Sequence, residues 1–224
     1  MVDIQTWWEL IMSKIELLNC DCMAVMARYP DKWFDLAIVD PPYGIDQGNA
    51  KPMSKTSKQD HIKKDWDKFP PDINYFNELF RVTKNQIIWG ANYFSMFLPA
   101  SMGWIFWDKD NHKFSLSDGE LAFTSFDKKL TVFKRFANLD RGFMLHDVVI
   151  HPTQKPIKLY DWLLHNYAKP GQRILDTHLG SGSSAIAAHY FGCDFVGCEL
   201  DKDYYDAAVN RFNLATAQTT LFDE

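Results

Sequence analysis

The segment Phe34-Asp35-Leu36-Ala37-Ile38-Val39-Asp40-Pro41-Pro42-Tyr43-Gly44 decides how this chain is read. Its apolar run stops at an acid, two prolines and an aromatic. Proline has no amide hydrogen to give a central ladder, so the strand must end at or before Pro41. Pro41 and Pro42 fix an extended turn, which leaves Asp40 and Tyr43 rigidly held at the carboxyl end of a buried strand. A carboxylate, the Pro41 carbonyl and an aromatic ring in that arrangement suit a planar amine. The two oxygens accept from one NH2 group while Tyr43 stacks on the ring that carries it. Taken alone, the same residues also spell an ordinary strand-ending turn.

Upstream, Ile15–Asn19 predicts a strand ending at Cys20-Asp21-Cys22, followed by a helix over 22–29 that Pro30 stops. Strand, helix and strand at this spacing form a βαβ unit with parallel strands and a right-handed crossover. Residues 1–13, with Trp7, Trp8, Leu10 and Ile11, predict a short amphipathic helix. Downstream the alternation continues with a helix over 72–82, a strand over 86–89, a helix over 91–97 and a strand over 103–107. Segments 120–126 and 131–136 predict further strands, taken as antiparallel. The expected fold is α/β, a doubly wound, mostly parallel sheet.

With 224 residues and 46% hydrophobic content, the chain has material for one core plus an insertion. Its apolar runs fall short of the ~20 residues of a membrane span. The first residues carry Asp3 and Glu9 in place of a basic leader region. The expectation is a single domain over 1–224 in the cytoplasm, not secreted and not anchored. Cys20, Cys22, Cys193 and Cys198 lack Cys-x-x-Cys spacing and the histidines are scattered. No metal is expected, and a reducing compartment is.

The net charge of -5 looks wrong for a partner of nucleic acid, but the charge is unevenly spread. Residues 45–150 hold 15 basic against 13 acidic side chains, a balance of +2, which leaves -7 for the remainder. Lys51, Lys55, Lys58, Lys63, Lys64 and Lys68 follow directly on the proline turn, and Lys128, Lys129, Lys134 and Arg135 form a second group. Such groups can contact phosphates or simply be solvated. The polar stretch 46–69 is too long for an ordinary connection and reads as a lid or binding loop.

A second informative zone lies near the C-terminus. His151-Pro152-Thr153-Gln154-Lys155-Pro156 leads into a predicted helix over 156–168, with Pro156 at its first position and Gly171 beyond its end. A strand over 173–175 then enters Asp176-Thr177-His178-Leu179-Gly180-Ser181-Gly182-Ser183-Ser184 and a helix reaching Phe191. Gly180 and Gly182 permit a tight turn and close backbone approach, and the helix offers unpaired N–H groups at its start. A strand over 195–198 ends at Glu199, about twenty residues after the glycines, where an acid can accept from ribose hydroxyls. NAD fits this pattern less well, because the third glycine of the dinucleotide fingerprint is missing.

Taken in order, Asp-Pro-Pro-Tyr, His-Pro-Thr-Gln-Lys-Pro, Leu-Asp-x-x-x-Gly-Ser-Gly-Ser and the acid-ended strand resemble the DNA amino-methyltransferases whose catalytic element precedes the cofactor loop. The resemblance implies a Rossmann-like S-adenosylmethionine-dependent methyltransferase fold with an inserted target-recognition region. Residues 45–70 and 109–149 would be its DNA-contacting loop and insertion. It implies DNA as partner, no membrane, a homodimer as one open assembly, and a bacterial or phage-host cytoplasm, with restriction-modification as the setting. Asp40, Pro41, Pro42 and Tyr43 would be catalytic. Asp21 would meet the cofactor's adenine, Thr153 and Lys155 its methionine end, and Asp176, Gly180, Gly182, Ser183 and Glu199 would line the rest.

In that family Asp before Pro-Pro-Tyr goes mostly with adenine N6, and Ser with cytosine N4. Cytosine-N4, RNA and protein-amide methylation stay open as alternatives, as does a non-catalytic cofactor-binding subunit. The chain departs from the family's Asp-Pro-Phe at Asp176-Thr177-His178, and it has no Pro-Cys dipeptide for a cysteine nucleophile.

Overall fold

The chain alternates its apolar residues so that strands bury both faces. In the computed structural model, which describes residues 13–45, 67–110, 117–134, 150–151 and 153–217, this produces one eight-stranded sheet with helices on each side. Its strands are β1 (Ile15–Asn19), β2 (Phe34–Val39), β3 (Thr83–Trp89), β4 (Trp104–Asp108), β5 (Gly119–Thr124), β6 (Thr131–Lys134), β7 (Arg173–Asp176) and β8 (Asp194–Glu199). The helices are α1 (Cys22–Met26), α2 (Ile73–Val82), α3 (Ile157–Tyr167), α4 (Ser183–Phe191) and α5 (Lys202–Ala217).

The strand order is β1-β8-β7-β2-β3-β5-β4-β6. Only β5 runs against the others, since it is antiparallel to both β3 and β4 while the remaining pairs are parallel. Leu36 and Ile38 of β2 point into a core with Leu159, Leu163 and Leu164 of α3 and Ala185 and Ala188 of α4. Ala37 and Val39 point the other way, onto Tyr75, Phe76 and Leu79 of α2. Period-two alternation with both faces apolar is what a doubly covered sheet requires.

β2 and β7 are neighbours, yet the chain leaves β2 for β3 on one side and β7 for β8 on the other. This is the switch point where open α/β sheets form a ligand crevice beyond the strand carboxyl ends. Register aligns those ends: Asn19 pairs with Glu199, Asp176 with Gly197, and Ala37 with Leu175. Asp21, Glu199, Asp176 and Asp40, far apart in sequence, thereby lie along one edge.

Several boundaries differ from the sequence reading. α1 ends at Met26, because the amides of Arg28 and Tyr29 turn back three residues to the carbonyls of Val25 and Met26. The helix expected over 91–97 is two 3-10 turns, Ala91–Tyr93 and Ser95–Phe97, divided where Phe94 inserts fully into the core. β6 is parallel to β4, since two successive reversals restore the direction and β6 skips β5 to pair with β4. Pro156 caps α3 from outside instead of opening it.

The helix expected over 1–13 lies outside the described residues except for its last residue. So do Lys51, Lys55, Lys58, Lys63, Lys64, Trp66 and Arg135. Among the described residues no helix is long and apolar enough to cross a membrane.

Candidate active site

Asp40 leaves the end of β2 and Pro41 is buried behind it. Both Asp40 carboxylate oxygens are engaged. Tyr43 Oη donates to Oδ1 at 2.6 Å, and Lys155 Nζ donates to Oδ2. Lys155 comes from the segment before α3 and its side chain is 3% exposed. Its ammonium also pairs with Glu120 Oε2 at 3.0 Å and donates to Tyr43 Oη at 3.4 Å. Glu120, on β5, receives Lys109 on its other oxygen. The result is a buried row of alternating charge: Asp40, Lys155, Glu120, Lys109.

Burial, reinforced by Glu120, pushes the Asp40 carboxyl above its usual range against the pull of Lys155 and Tyr43. Burial also pushes Glu120 up, but Lys155 and Lys109 outweigh it and bring that carboxyl down to about 2. Burial drags Lys155 down, and its two carboxylate partners more than reverse this, so it stays charged.

Tyr43 is stacked on Tyr93 with ring centroids 5.0 Å apart at 15°, and it lies so close over Gly90 that a Cβ there would stand 2.1 Å from the ring. One face of Tyr43 is therefore already covered, and Tyr93 is 43% exposed beside it. Neither Tyr93 nor Glu120 was singled out in the sequence. An aromatic just after Gly90 and a strand glutamate carry no signal that separates them from surface residues.

The other end of the crevice is built from backbone and acids. Gly180 and Gly182 adopt φ of +52° and +73°, the left-handed region that favours glycine. Glu199 braces this turn, accepting from Gly180 N at 3.0 Å through one oxygen and from Asp201 N at 3.0 Å through the other. Asp176 accepts from Ser184 Oγ at 2.6 Å and His178 N at 3.0 Å, and burial pushes its carboxyl to about 7. Asp21 caps α1, its Oδ1 accepting from Met23 N and Ala24 N.

Where the sequence departs from Asp-Pro-Phe, Thr177 Oγ1 bridges Tyr75 Oη at 2.7 Å and His178 Nδ1 at 2.9 Å. Burial pulls His178 down to about 4. A neutral aromatic ring thus stands in the cleft wall.

Asp21, Asp40, Pro42, Thr153, Lys155, Gly180 and Glu199 all line one open cleft of about 200 Å³. Asp176, Gly182 and Ser183 do not reach its surface. Gly182 packs against Ala208, and Ser183 Oγ accepts from Arg211 Nη1 at 2.9 Å. These residues support the turn from behind. Lys155 stands at the Asp40 end, bound to carboxylates. In the second basic group, Lys128 donates to Asn166 O at 2.7 Å and Lys134 faces Asp108 and Asp110.

The DNA methylase family model, that of N6 and N4 methyltransferases, matches residues 138–210, the stretch carrying the Lys155 segment, the glycine turn and Glu199. Over that stretch the chain is similar to the DNA methylase family. Asp40 lies outside the matched stretch, so the Asp-Pro-Pro-Tyr element is an independent observation. Among relatives, YubD of Escherichia coli (strain K12), named as a candidate methylase, is 28% identical over 228 residues, covering 90% of both chains. The type II methyltransferase M2.DpnII of Streptococcus pneumoniae is 25% identical over 243 residues, covering 89% of this chain and 90% of that one.

The fold recurs in solved structures. An M1.HpyAVI–S-adenosylmethionine complex has a TM-score of 0.57 at 19% identity, covering 89% of this chain and 99% of that one. The cytosine-N4-specific PvuII DNA methyltransferase has a TM-score of 0.58 at 11% identity, with coverage of 92% and 91%.

Proposed function

We propose that the protein is a DNA adenine-N6 methyltransferase that takes its methyl group from S-adenosylmethionine and acts on a base turned out of the duplex. The observation that carries this reading is the joining, in one cleft, of Asp40 with the acid-lined glycine turn.

The cleft suits that cofactor in its charge. Among the described residues its wall carries the acids Asp21, Asp40 and Glu199 and one lysine, Lys155, which is already shared between two carboxylates. Such a wall favours a sulfonium and an ammonium and disfavours the pyrophosphate of NAD. Asp21 keeps Oδ2 for the adenine amine, Glu199 has lone pairs left for ribose hydroxyls, and Thr153 stands at the methionine end. Asp176, Gly182 and Ser183 act by holding the turn.

The bound cofactor supplies a sulfonium methyl within reach of an exocyclic amine. Asp40 accepts a hydrogen bond from that amine, turns its lone pair toward the methyl and offsets positive charge as it develops on nitrogen. Pro41 and Pro42 fix the carboxylate's direction. Tyr43 and Tyr93 offer a stacked aromatic wall for the base, whose removal from the helix costs a few kcal/mol. Lysines after the proline turn give the phosphate contacts that position the duplex. One domain over 1–224 holds all of these parts.

Cytosine N4 is the second reading. Its amine is also conjugated and also donates to Asp40, and the cytosine-N4-specific PvuII enzyme shares the fold. Asp in place of Ser before Pro-Pro-Tyr favours adenine. Incubating the protein with DNA and S-adenosylmethionine, digesting to nucleosides and separating them by mass spectrometry decides the matter. N6-methyldeoxyadenosine is expected, and N4-methyldeoxycytidine without it would overturn the adenine assignment.

A further inference from the structure

The Asp40 end of the cleft carries a difficulty for its own chemistry. An amine must donate to Asp40, yet one oxygen is held by the Tyr43 hydroxyl and the other by the Lys155 ammonium, so the amine competes with a buried cation for the carboxylate's charge. Lys155 donates to Asp40 and to Tyr43 Oη and forms an ion pair with Glu120 Oε2 at 3.0 Å. It is also enclosed by aromatic faces, with the Trp89 centroid 5.5 Å away and that of Tyr43 5.9 Å away. A buried cation does not give up a counter-ion readily unless a second one stays beside it, because the charge left behind would be unpaired in a low dielectric.

We propose that Glu120 is a positioning residue that lets Asp40 change partners. Lys155 occupies Asp40 in the resting enzyme, and the exocyclic amine displaces it onto Glu120. Two features fit Glu120 to this role. It sits on β5, opposite Trp107 of the neighbouring strand, on the far side of Lys155 from Asp40. It is itself balanced by Lys109, whose ammonium rests 4.9 Å from the Trp107 ring centroid. When the amine arrives, Lys155 keeps a full negative charge beside it, and no proton has to move. The row of two acids and two bases stays neutral throughout.

This inference rests on Asp40 being the amine acceptor, and its test separates the two claims. The groups facing Asp40 are Lys155, Glu120 and Tyr43, with Tyr160 and Asp176 acting from farther off. Lys155 lowers the Asp40 pKa and Glu120 raises it. Removing each must therefore shift the acid limb of kcat/KM, which reports the free enzyme, in opposite directions.

Glu120→Gln keeps size and an acceptor oxygen but leaves Lys155 with Asp40 alone. The single-turnover methylation rate should fall by about tenfold or more, the scale of one strengthened charge-assisted hydrogen bond, and the acid limb should move to lower pH. Lys155→Met should move the limb to higher pH. The double variant Glu120→Gln/Lys155→Met should be faster than Glu120→Gln, because the competing cation is gone. S-adenosylmethionine affinity, read by calorimetry, should change little in Glu120→Gln.

Equal limbs in both single variants, shifts of one sign, or a double variant no faster than Glu120→Gln would overturn the role of Glu120. Should Glu120→Gln fail to fold, the same decision follows from Lys155→Met and the double variant, whose limbs must differ. Asp40→Asn serves as the separate control: near-wild-type turnover there would overturn the assignment of Asp40 instead.

Discussion

At the end of β2 the Asp40 carboxylate is enclosed by a cation and a phenol, whereas at the ends of β7, β8 and β1 the carboxylates of Asp176, Glu199 and Asp21 are braced by backbone amides and a hydroxyl. Amides fix an acid's position without taking all of its lone pairs, so Glu199 and Asp21, which line the cleft, keep acceptor capacity for a ligand there, while Asp176 supports the turn from behind. An ammonium both fixes and neutralises its acid, so the Asp40 end is closed on itself until a competing donor arrives. One half of the cleft is thus a receptor and the other a held position. The same residue type at the same place on a strand acquires its role from what braces it.

The largest expected effect breaks the Asp40 end. Asp40→Ala should lower methyl transfer by about 100- to 1,000-fold, the scale of deleting one preorganised electrostatic partner, while leaving cofactor affinity near wild type. Paired calorimetry and radiolabelled transfer check both parts. Loss of cofactor binding together with transfer would show that the two ends are not separable.

At the other end, Gly180→Val forces a β-branched residue to a φ of +52°, and Glu199→Ala removes the acceptor that ties Gly180 to β8. Each should weaken S-adenosylmethionine binding by about tenfold or more, as expected for lost charge-assisted hydrogen bonds. Thermal shift should register stabilisation of the wild type by S-adenosylmethionine and none by NAD; stabilisation by NAD alone would reverse the cofactor assignment.

The smallest effect concerns protons. Burial raises Asp176 to about 7, far above the ~3.9 of an unfolded aspartate. A folded state that holds its proton more tightly is favoured below the unfolded pKa, and that contribution is lost as pH rises through about 7. Asp176→Asn, which stays neutral, should therefore gain stability relative to wild type between about pH 5 and about pH 8, by a few kcal/mol at most. Melting curves of the ligand-free proteins across that range measure it, and parallel pH profiles would contradict the buried proton.

Much of this architecture was legible in the sequence because its signals are local. β2 ends before Pro41, where the sequence reading stopped it, since proline cannot continue a central strand. The glycine turn and Glu199 followed from spacing alone. α5 was missed: its buried residues are only Ala208 and Arg211, so no apolar stripe marks it, although Asp201 caps it through the amides of Asp203 and Tyr204. The Lys155–Asp40 pair was also beyond reach. Lys155 was read at the methionine end, by resemblance, and its carboxylate partners are Asp40, 115 residues away just past β2, and Glu120 on the reversed strand β5. Which strands become neighbours is a property of the sheet order and not of any one segment.

The most direct test of one cleft joining a cofactor end to an amine end is methyl transfer itself. Purified protein is given S-adenosylmethionine labelled on its methyl group together with duplex DNA, RNA and protein acceptors in parallel. The account predicts label in DNA, lost with Asp40→Ala although the cofactor still binds. Cofactor and DNA binding without any labelled DNA, or label confined to RNA or protein, would contradict it.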